Sequence, residues 1–331
     1  MNNEHIDFLA IGDLVTDAFI RIKDATVNCD VDHHNCKISL RFGDKVPYES
    51  MEEVRAVGNS ANAAVSAARL GIKSGLMAHV GKDTNGENCI NELIKNNVNT
   101  TYVGRHDGFS TNYHYVLWYD VDRTILVKHE HFPASFPQEM DPPKMIYLSS
   151  LGEGTEEYHE QIASYVVAHP EVHLIFQPGT FQIKMGVEKL RDIYERTYAF
   201  FCNIEEAQRI LKTEEKDIQI LFKGLHVLGP KILFITDGME GSYASDGAES
   251  WFMPVYPQDA YERTGAGDAF ASTVSAALLL GKPLKEALMW GPVNSMSVIQ
   301  FVGAQKGLLT MERLEHHLAE APVDYQPKPL F

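Results

Sequence analysis

Four short runs decide the fold: Met145-Ile146-Tyr147-Leu148-Ser149, His173-Leu174-Ile175-Phe176, Ala199-Phe200-Phe201-Cys202 and Lys231-Ile232-Leu233-Phe234-Ile235-Thr236. Each is apolar along its length rather than alternating, and each has strand length. That texture marks strands buried on both faces. The stretches between them, Glu156–Ala168, Val187–Arg196 and Glu205–Lys212, have helical length and composition. Strands alternating with helices imply a parallel sheet with helices on both faces. The expected fold class is therefore α/β, a three-layer α/β/α sandwich around a mainly parallel sheet.

Upstream the same grammar continues. Residues Ile6 to Gly12 read as a buried first strand, and Lys73 to Gly81 as another. Asn59 to Leu70 is a small-residue helix with Gly71 as its C-cap, and Glu87 to Asn96 is helical. Two stretches break the pattern. Residues 14–55 and 108–135 alternate, as in Lys37-Ile38-Ser39-Leu40-Arg41-Phe42 and Asn112-Tyr113-His114-Tyr115-Val116-Leu117-Trp118-Tyr119. Asp120-Val121-Asp122 then marks a turn, and Thr124-Ile125-Leu126-Val127 resumes, which is a hairpin signal. We expect one domain over residues 1–331. The two alternating insertions would pair into a small β-sheet lid over the active site and offer a homodimer surface.

Bulk composition narrows the partners. The 29 Lys and Arg against 45 Asp and Glu give a formal net charge of −16. A uniformly acidic chain repels nucleic acid and anionic membranes, so neither is an expected partner. Any polyanionic nucleotide must be held by local devices: backbone N–H groups, helix N-termini and a bridging metal. The four cysteines form no dense framework, and the start Met1-Asn2-Asn3-Glu4-His5 lacks a basic leader. A cytoplasmic setting is the expectation.

Downstream, Glu262-Arg263-Thr264-Gly265-Ala266-Gly267-Asp268 opens a long small-and-apolar helix, Ala269 to Leu280, closed by Gly281. The glycines expose backbone N–H groups, and the helix start adds unpaired donors and the positive end of a dipole. Together they form an anion hole. A carboxylate at Asp268 can take a proton from a hydroxyl while the loop stabilises a transferring phosphoryl group. Alone, the motif reads first as an Asp N-cap after a glycine turn. It is neither a Walker loop nor a dinucleotide fingerprint. By the same logic Asp17 reads as a turn residue, and Asn203 with Glu206 as a cap with its capping-box partner.

The motifs gain weight as an ordered set. Glu262 to Phe270 resembles the second signature of the ribokinase-like (PfkB) carbohydrate kinase family. Gly58-Asn59-Ser60-Ala61-Asn62 resembles the first signature, and Gly12-Asp13-Leu14-Val15-Thr16-Asp17 the end of the first strand. Asn203-Ile204-Glu205-Glu206 and Thr236-Asp237-Gly238-Met239-Glu240-Gly241 match the Asn-x-x-Glu and nucleotide-loop motifs. The resemblance implies Asp268 as general base and the backbone of Gly265, Ala266 and Gly267 as anion hole. It implies Asp17, Gly58, Asn59 and Asn62 as acceptor-binding residues. Asn203, Glu206, Thr236, Gly238 and Gly241 would serve ATP, with Glu206 holding Mg²⁺ through water. The implied reaction is transfer of the ATP γ-phosphoryl group to a hydroxyl, expected to be primary, of a sugar or sugar derivative. A nucleoside kinase of the same fold is the alternative, and a non-catalytic sugar- or nucleotide-binding regulator stands behind it.

The chain departs from the family pattern in three places. Glu262-Arg263 replaces the usual Asp-Thr, which leaves a monovalent cation (K⁺) an open question. Val57-Gly58 replaces Gly-Gly. Gln177-Pro178-Gly179-Thr180 replaces a frequent Asp-x-Asn at the sheet's C-terminal edge, so acceptor choice is open.

Other clusters read more plainly. Cys29, His33, His34 and Cys36 have zinc-ligand chemistry, but adjacent histidines rarely both point inward, and a polar lid turn is expected. His129-Glu130-His131 is expected on an exposed lid face. Tyr113, Tyr115, Trp118 and Tyr119 either stack on a ligand or pack the lid interface. His316-His317 sits in a terminal helix without a functional signal.

Overall fold

The computed structural model describes residues 5–29, 36–120 and 122–330. Ten strands among them form the central sheet. Seven run parallel, in spatial order Val103–His106, Ser74–Gly81, Phe8–Ile11, Met145–Leu148, His173–Phe176, Thr197–Asn203 and Ile232–Thr236. Ser242–Ser245, Ser250–Met253 and Lys328–Pro329 extend one edge antiparallel. Pro329 sits on the outermost strand, where its missing N–H is harmless. The expected mainly parallel sheet is present.

Period-two side-chain geometry makes two cores from one sheet. Phe8 and Ala10 feed the core on one face, and Leu9 and Ile11 the core on the other. Met145 and Tyr147 divide from Ile146 and Leu148 in the same way. Each such side chain is fully buried, contributing about 1.5–3 kcal/mol. The helices Asn59–Arg69, Ala266–Leu279 and Leu284–Val298 close one face, while Glu156–Ala168, Ile204–Leu211 and Ile218–Val227 close the other.

Several helix boundaries differ from expectation; the helix expected from Glu87 begins at Thr84, after its Asp83 N-cap. Only Arg191–Arg196 of the expected Val187–Arg196 helix is helical, and a further helix, Thr180–Met185, precedes it. Gly186, at φ +87°, stops the first. The glycine-loop helix begins at Ala266 rather than Ala269, because Gly265 takes φ +81° and caps it. Asp268 therefore lies inside the first turn.

The two alternating stretches do pair. Tyr48–Val57, Val15–Ile22, Asn112–Tyr119 and Asp122–Leu126 form a four-stranded sheet in that order. Its central pair is parallel and its outer pairs antiparallel. Arg123, Ile125 and Val127 line the cleft below it. Its opposite side exposes Tyr48, Met51, Tyr115 and Leu126.

The chain first builds outward from Phe8–Ile11 on one side, then returns to pair Met145–Leu148 on the other. That reversal leaves a crevice at the strands' C-terminal ends, where open α/β sheets bind ligands.

Candidate active site

The residues that follow those strand ends converge. Asp13, Ser150, Gln177, Asn203 and Thr236 line one cleft of about 680 Å³, with Gly58, Asn59, Asn62 and the 265–268 loop on its other wall. Gly58 is required by geometry. It caps the helix Asn59–Arg69 at φ +114°, and a Cβ there would lie 2.6 Å from the Asp13 carbonyl oxygen. That close approach brings Asn62 into the cleft.

Asp268 sits at the cleft floor. Asn62 Nδ2 donates to its Oδ2 at 2.8 Å, and Gln177 Nε2 donates to its Oδ1 at 3.4 Å. Both donors are themselves oriented. Gln305 Nε2 donates to Asn62 Oδ1 at 3.0 Å, and the Tyr147 hydroxyl donates to Gln177 Oε1. Burial pushes the Asp268 carboxyl up to about 6. The two amide donors and the Arg123 charge oppose that rise, while Asp17 adds to it. A carboxylate mostly ionised at neutral pH yet basic enough to accept a proton suits a general base. The sequence marked Gln177 only as a departure from pattern; in the fold it donates to the Asp268 carboxylate.

The part of the cleft beneath the small sheet carries two Asp–His pairs. His114 Nδ1 lies 3.3 Å from Asp17 Oδ1, and His129 Nδ1 lies 3.1 Å from Asp13 Oδ2. The His129 imidazole is held above its ordinary range by the Asp13 carboxylate beside it, against the effect of burial. Asp13 Oδ2, Asp17 Oδ1, His114 Nε2 and His129 Nδ1 are buried without a well-directed hydrogen bond. Buried polar capacity of this kind is costly unless a ligand uses it. Asp17, which the resemblance implied for the acceptor, lines the cleft. His129 is a correction: it faces the cleft rather than solvent.

A second, more apolar pocket of about 270 Å³ adjoins the cleft and shares Thr236, Arg263, Ala266, Gly267 and Phe270 with it. Gly238, Gly241, Val255, Tyr256, Met296 and Ile299 line it. Gly241 adopts φ +119°, where a Cβ would strike the Met253 carbonyl oxygen at 2.6 Å. Between the pockets, Asn203 caps the helix Ile204–Leu211 by accepting from Glu206 N at 2.8 Å. Glu206 Oε2 accepts from Asn203 N at 2.9 Å. The capping-box reading is thus realised, and both residues line the cleft as well. Glu206 Oε1 accepts no hydrogen bond from the described residues, and burial pushes this carboxyl up, with Glu205 and Asp268 adding to it. A partly buried carboxylate beside other acids suits a hydrated divalent cation.

Glu262 is fully buried and its carboxylate is occupied. Thr264 donates to Oε1 from N at 2.8 Å and from Oγ1 at 2.6 Å, and Gly303 N donates to Oε2 at 3.3 Å. Arg123 Nε lies 4.0 Å from Oε1. A side chain so engaged is poorly disposed to hold K⁺.

The remaining clusters resolve simply. Cys29 and Cys36 form a disulfide, so neither offers a thiolate to zinc, and His33 and His34 lie outside the described residues. Among the described residues no group of three metal-binding side chains occurs. None of the four aromatics stacks in the cleft. Tyr113 donates to Glu53, Tyr115 is exposed, and Trp118 packs edge-on against Tyr261. No described helix is long and apolar enough to cross a membrane.

The model of the pfkB family carbohydrate kinases matches residues 24–311. Ribokinase of Bacillus subtilis (strain 168) is 28% identical over 79% of this chain and 87% of its own. The structure of the Methanocaldococcus jannaschii nucleoside kinase superposes with TM-score 0.77 at 18% identity, covering 96% of this chain and 100% of its own. Arabidopsis thaliana ribokinase complexed with ribose and ATP superposes with TM-score 0.77 at 18% identity, covering 95% and 99%.

Proposed function

Because the chain belongs to the pfkB family of carbohydrate kinases, we propose that it transfers the γ-phosphoryl group of ATP to a primary hydroxyl of a sugar or sugar derivative. The observation that carries this reading is the position of Asp268. It lies on the floor of a cleft with polar groups suited to a polyol, and the adjoining Ala266 and Gly267 also line an apolar pocket suited to a nucleobase.

Asp13, Asp17, Asn59, Asn62, His114 and His129 hold the acceptor hydroxyls. Asp268 takes the proton of the attacking hydroxyl as the oxygen–phosphorus bond forms. The bond between the γ-phosphorus and the β–γ bridging oxygen breaks, and ADP leaves carrying the bridging oxygen, while the acceptor oxygen stays on the phosphorylated product. The N–H groups of the Gly265-Ala266-Gly267 loop meet the charge on the transferring group. Mg²⁺, held through water by Glu206, would neutralise phosphate charge when bound. Gly238 and Gly241 let the chain pass close to the base, and Thr236 lies at the junction of the pockets.

The small sheet acts as the lid of a single catalytic domain and excludes water from the reaction. Its exposed Tyr48, Met51, Tyr115 and Leu126 form the surface through which two copies would pair. The disposition of Glu262 favours turnover without K⁺. A cytoplasmic location accords with ATP use.

A nucleoside acceptor is the second reading. The apolar Ile125, Val127 and Phe181 on the cleft wall favour it, as does the named nucleoside kinase among the structural relatives. A coupled ADP-release screen over pentoses, hexoses, keto-deoxy acids and nucleosides tests both. Mg²⁺-dependent ADP release stimulated by one acceptor class is expected. ADP release that no acceptor stimulates would leave a binding protein rather than a kinase.

A further inference from the structure

We propose that Glu262 and Arg123 couple the small sheet to the anion-hole loop, so that the loop keeps its anion-binding shape only while the sheet is docked. The proposal rests on the phosphotransferase reading and names a control on that same site.

Glu262 ties two segments together. Through Thr264 it holds the entry to the loop, and through Gly303 N it holds the turn that follows the helix Leu284–Val298. That turn is pressed against the loop. A Cβ on Gly265 would lie 2.3 Å from Ala304 Cβ. The next residue, Gln305, donates to Asn62 Oδ1 and to the carbonyl of Ala56 at the end of a small-sheet strand. The turn 303–305 thus touches the anion hole on one side and the Asn62–Asp268 hydrogen bond on the other.

The small sheet reaches both tied segments from three strands. Arg123 Nε stands 4.0 Å from the fully buried Glu262 carboxylate. Trp118 meets Tyr261 edge-on with centroids 5.6 Å apart. Val54 packs on Gly303 so closely that a Cβ there would lie 3.0 Å from its Cγ2. A buried carboxylate needs a compensating charge. Here that charge is delivered by the sheet. If the sheet lifts, Glu262 loses Arg123 and the two segments lose their apolar cover together. The coupling would make the anion hole form when the acceptor is enclosed and relax when it is not.

Hydrogen–deuterium exchange on the full-length protein tests this without knowledge of the acceptor. We expect Arg123→Gln and Glu262→Gln each to speed exchange of the segment 259–268 at least tenfold. Arg123→Lys should keep most of the protection. Lys128→Ala, in an exposed pair with Glu130, should leave it unchanged. Guanidinium chloride at low millimolar concentration should restore protection to Arg123→Gln but not to Glu262→Gln. Wild-type exchange rates in either glutamine variant would overturn the coupling, and so would an equal effect of Lys128→Ala or failure of the guanidinium rescue. Glu262→Gln decides the matter should Arg123→Gln not fold. Binding of MgAMP-PNP by the unmutated chain is measured alongside. Its absence would sink the kinase reading while leaving the exchange result to stand.

Discussion

Asp268→Asn should abolish turnover and stabilise the protein, and both effects follow from one buried charge. Burial lifts the carboxyl from 3.8 to about 6. A tenfold change in proton affinity corresponds to about 1.4 kcal/mol, so carrying the charge at neutral pH costs the fold about 3 kcal/mol. The variant removes that cost. It also turns one amide group toward Asn62 or Gln177, both of which donate to the present carboxylate. Losing one such bond costs about 1 kcal/mol, which leaves a net gain of about 2 kcal/mol. Between the unfolded and folded pKa values the unfolded carboxyl is ionised while the folded one keeps its proton, so wild-type stability falls as pH rises from 3.8 to about 6. The gain from Asp268→Asn is therefore fully present above about pH 6 and fades as pH falls below it. Urea unfolding at pH 7.5 and pH 5 measures it, and at this chain length a few degrees in thermal midpoint should accompany it. Turnover should fall by about 10²–10⁴ for loss of a general base. Unchanged turnover would refute the base assignment. A variant less stable than wild type at pH 7.5 would refute the argument from desolvation.

Three further outcomes test the surrounding residues. Asn62→Ala removes the 2.8 Å donor to Asp268 Oδ2, so the acid limb of the kcat/KM profile, expected near pH 6, should move upward by about one pH unit; a stationary limb counts against the assignment. Gly265→Ala forces a Cβ to within 2.3 Å of Ala304 Cβ at φ +81°, which should destabilise the protein by about 2 kcal/mol or more in urea titration and abolish phosphoryl transfer. Glu206→Gln should raise the Mg²⁺ concentration for half-maximal turnover by about tenfold with the fold intact, and an unaltered Mg²⁺ titration would place the metal elsewhere.

How much of this was legible depended on which physical signal each residue carries. The runs at Met145, His173, Ala199 and Lys231 announced a parallel sheet because burial on both faces leaves no room for polar alternation. Asp268, Asn203 and Thr236 carry only a glycine turn, a capping box and a strand end as local signals; it was their order along the chain, matching the family pattern, that marked them for the cleft they line. His114, Arg123 and His129 were not so marked. They reach the cleft from the small sheet, and alternation says which residues share a face but not which face meets the site. His129 lies beyond the last paired residue, Leu126, where parity gives no guide. Gln305 was hidden for a different reason: it meets Asn62 across 243 residues of chain, and no spacing rule spans that distance. Glu262 was visible as an oddity, since Glu is longer than the Asp the family pattern carries. Only the fold shows that its one carboxylate meets Thr264 and Gly303 together.

The charge distribution explains why the glycine loop is needed. On the proposed function, a chain at −16 would have to bind a polyanionic nucleotide. At the cleft the Arg123 guanidinium already lies by Glu262, and the imidazoles of His114 and His129 lie by Asp17 and Asp13. Arg263 and Lys184 also line the cleft, but both are exposed, where attraction is weakened by solvent and salt. The acidic chain therefore meets phosphate with fixed dipoles rather than with a field of lysines. Backbone N–H groups at Ala266 and Gly267, at the start of a fourteen-residue helix, keep their orientation without a mobile side chain. Placing Asp268 in that same first turn puts the base within reach of the anion hole and sets its negative charge against the helix dipole, which favours the ionised form. Burial raises its pKa while the two amides and the Arg123 charge restrain the rise and Asp17 adds to it. A carboxylate held near 6 by that balance can accept a proton at neutral pH and release it again after transfer.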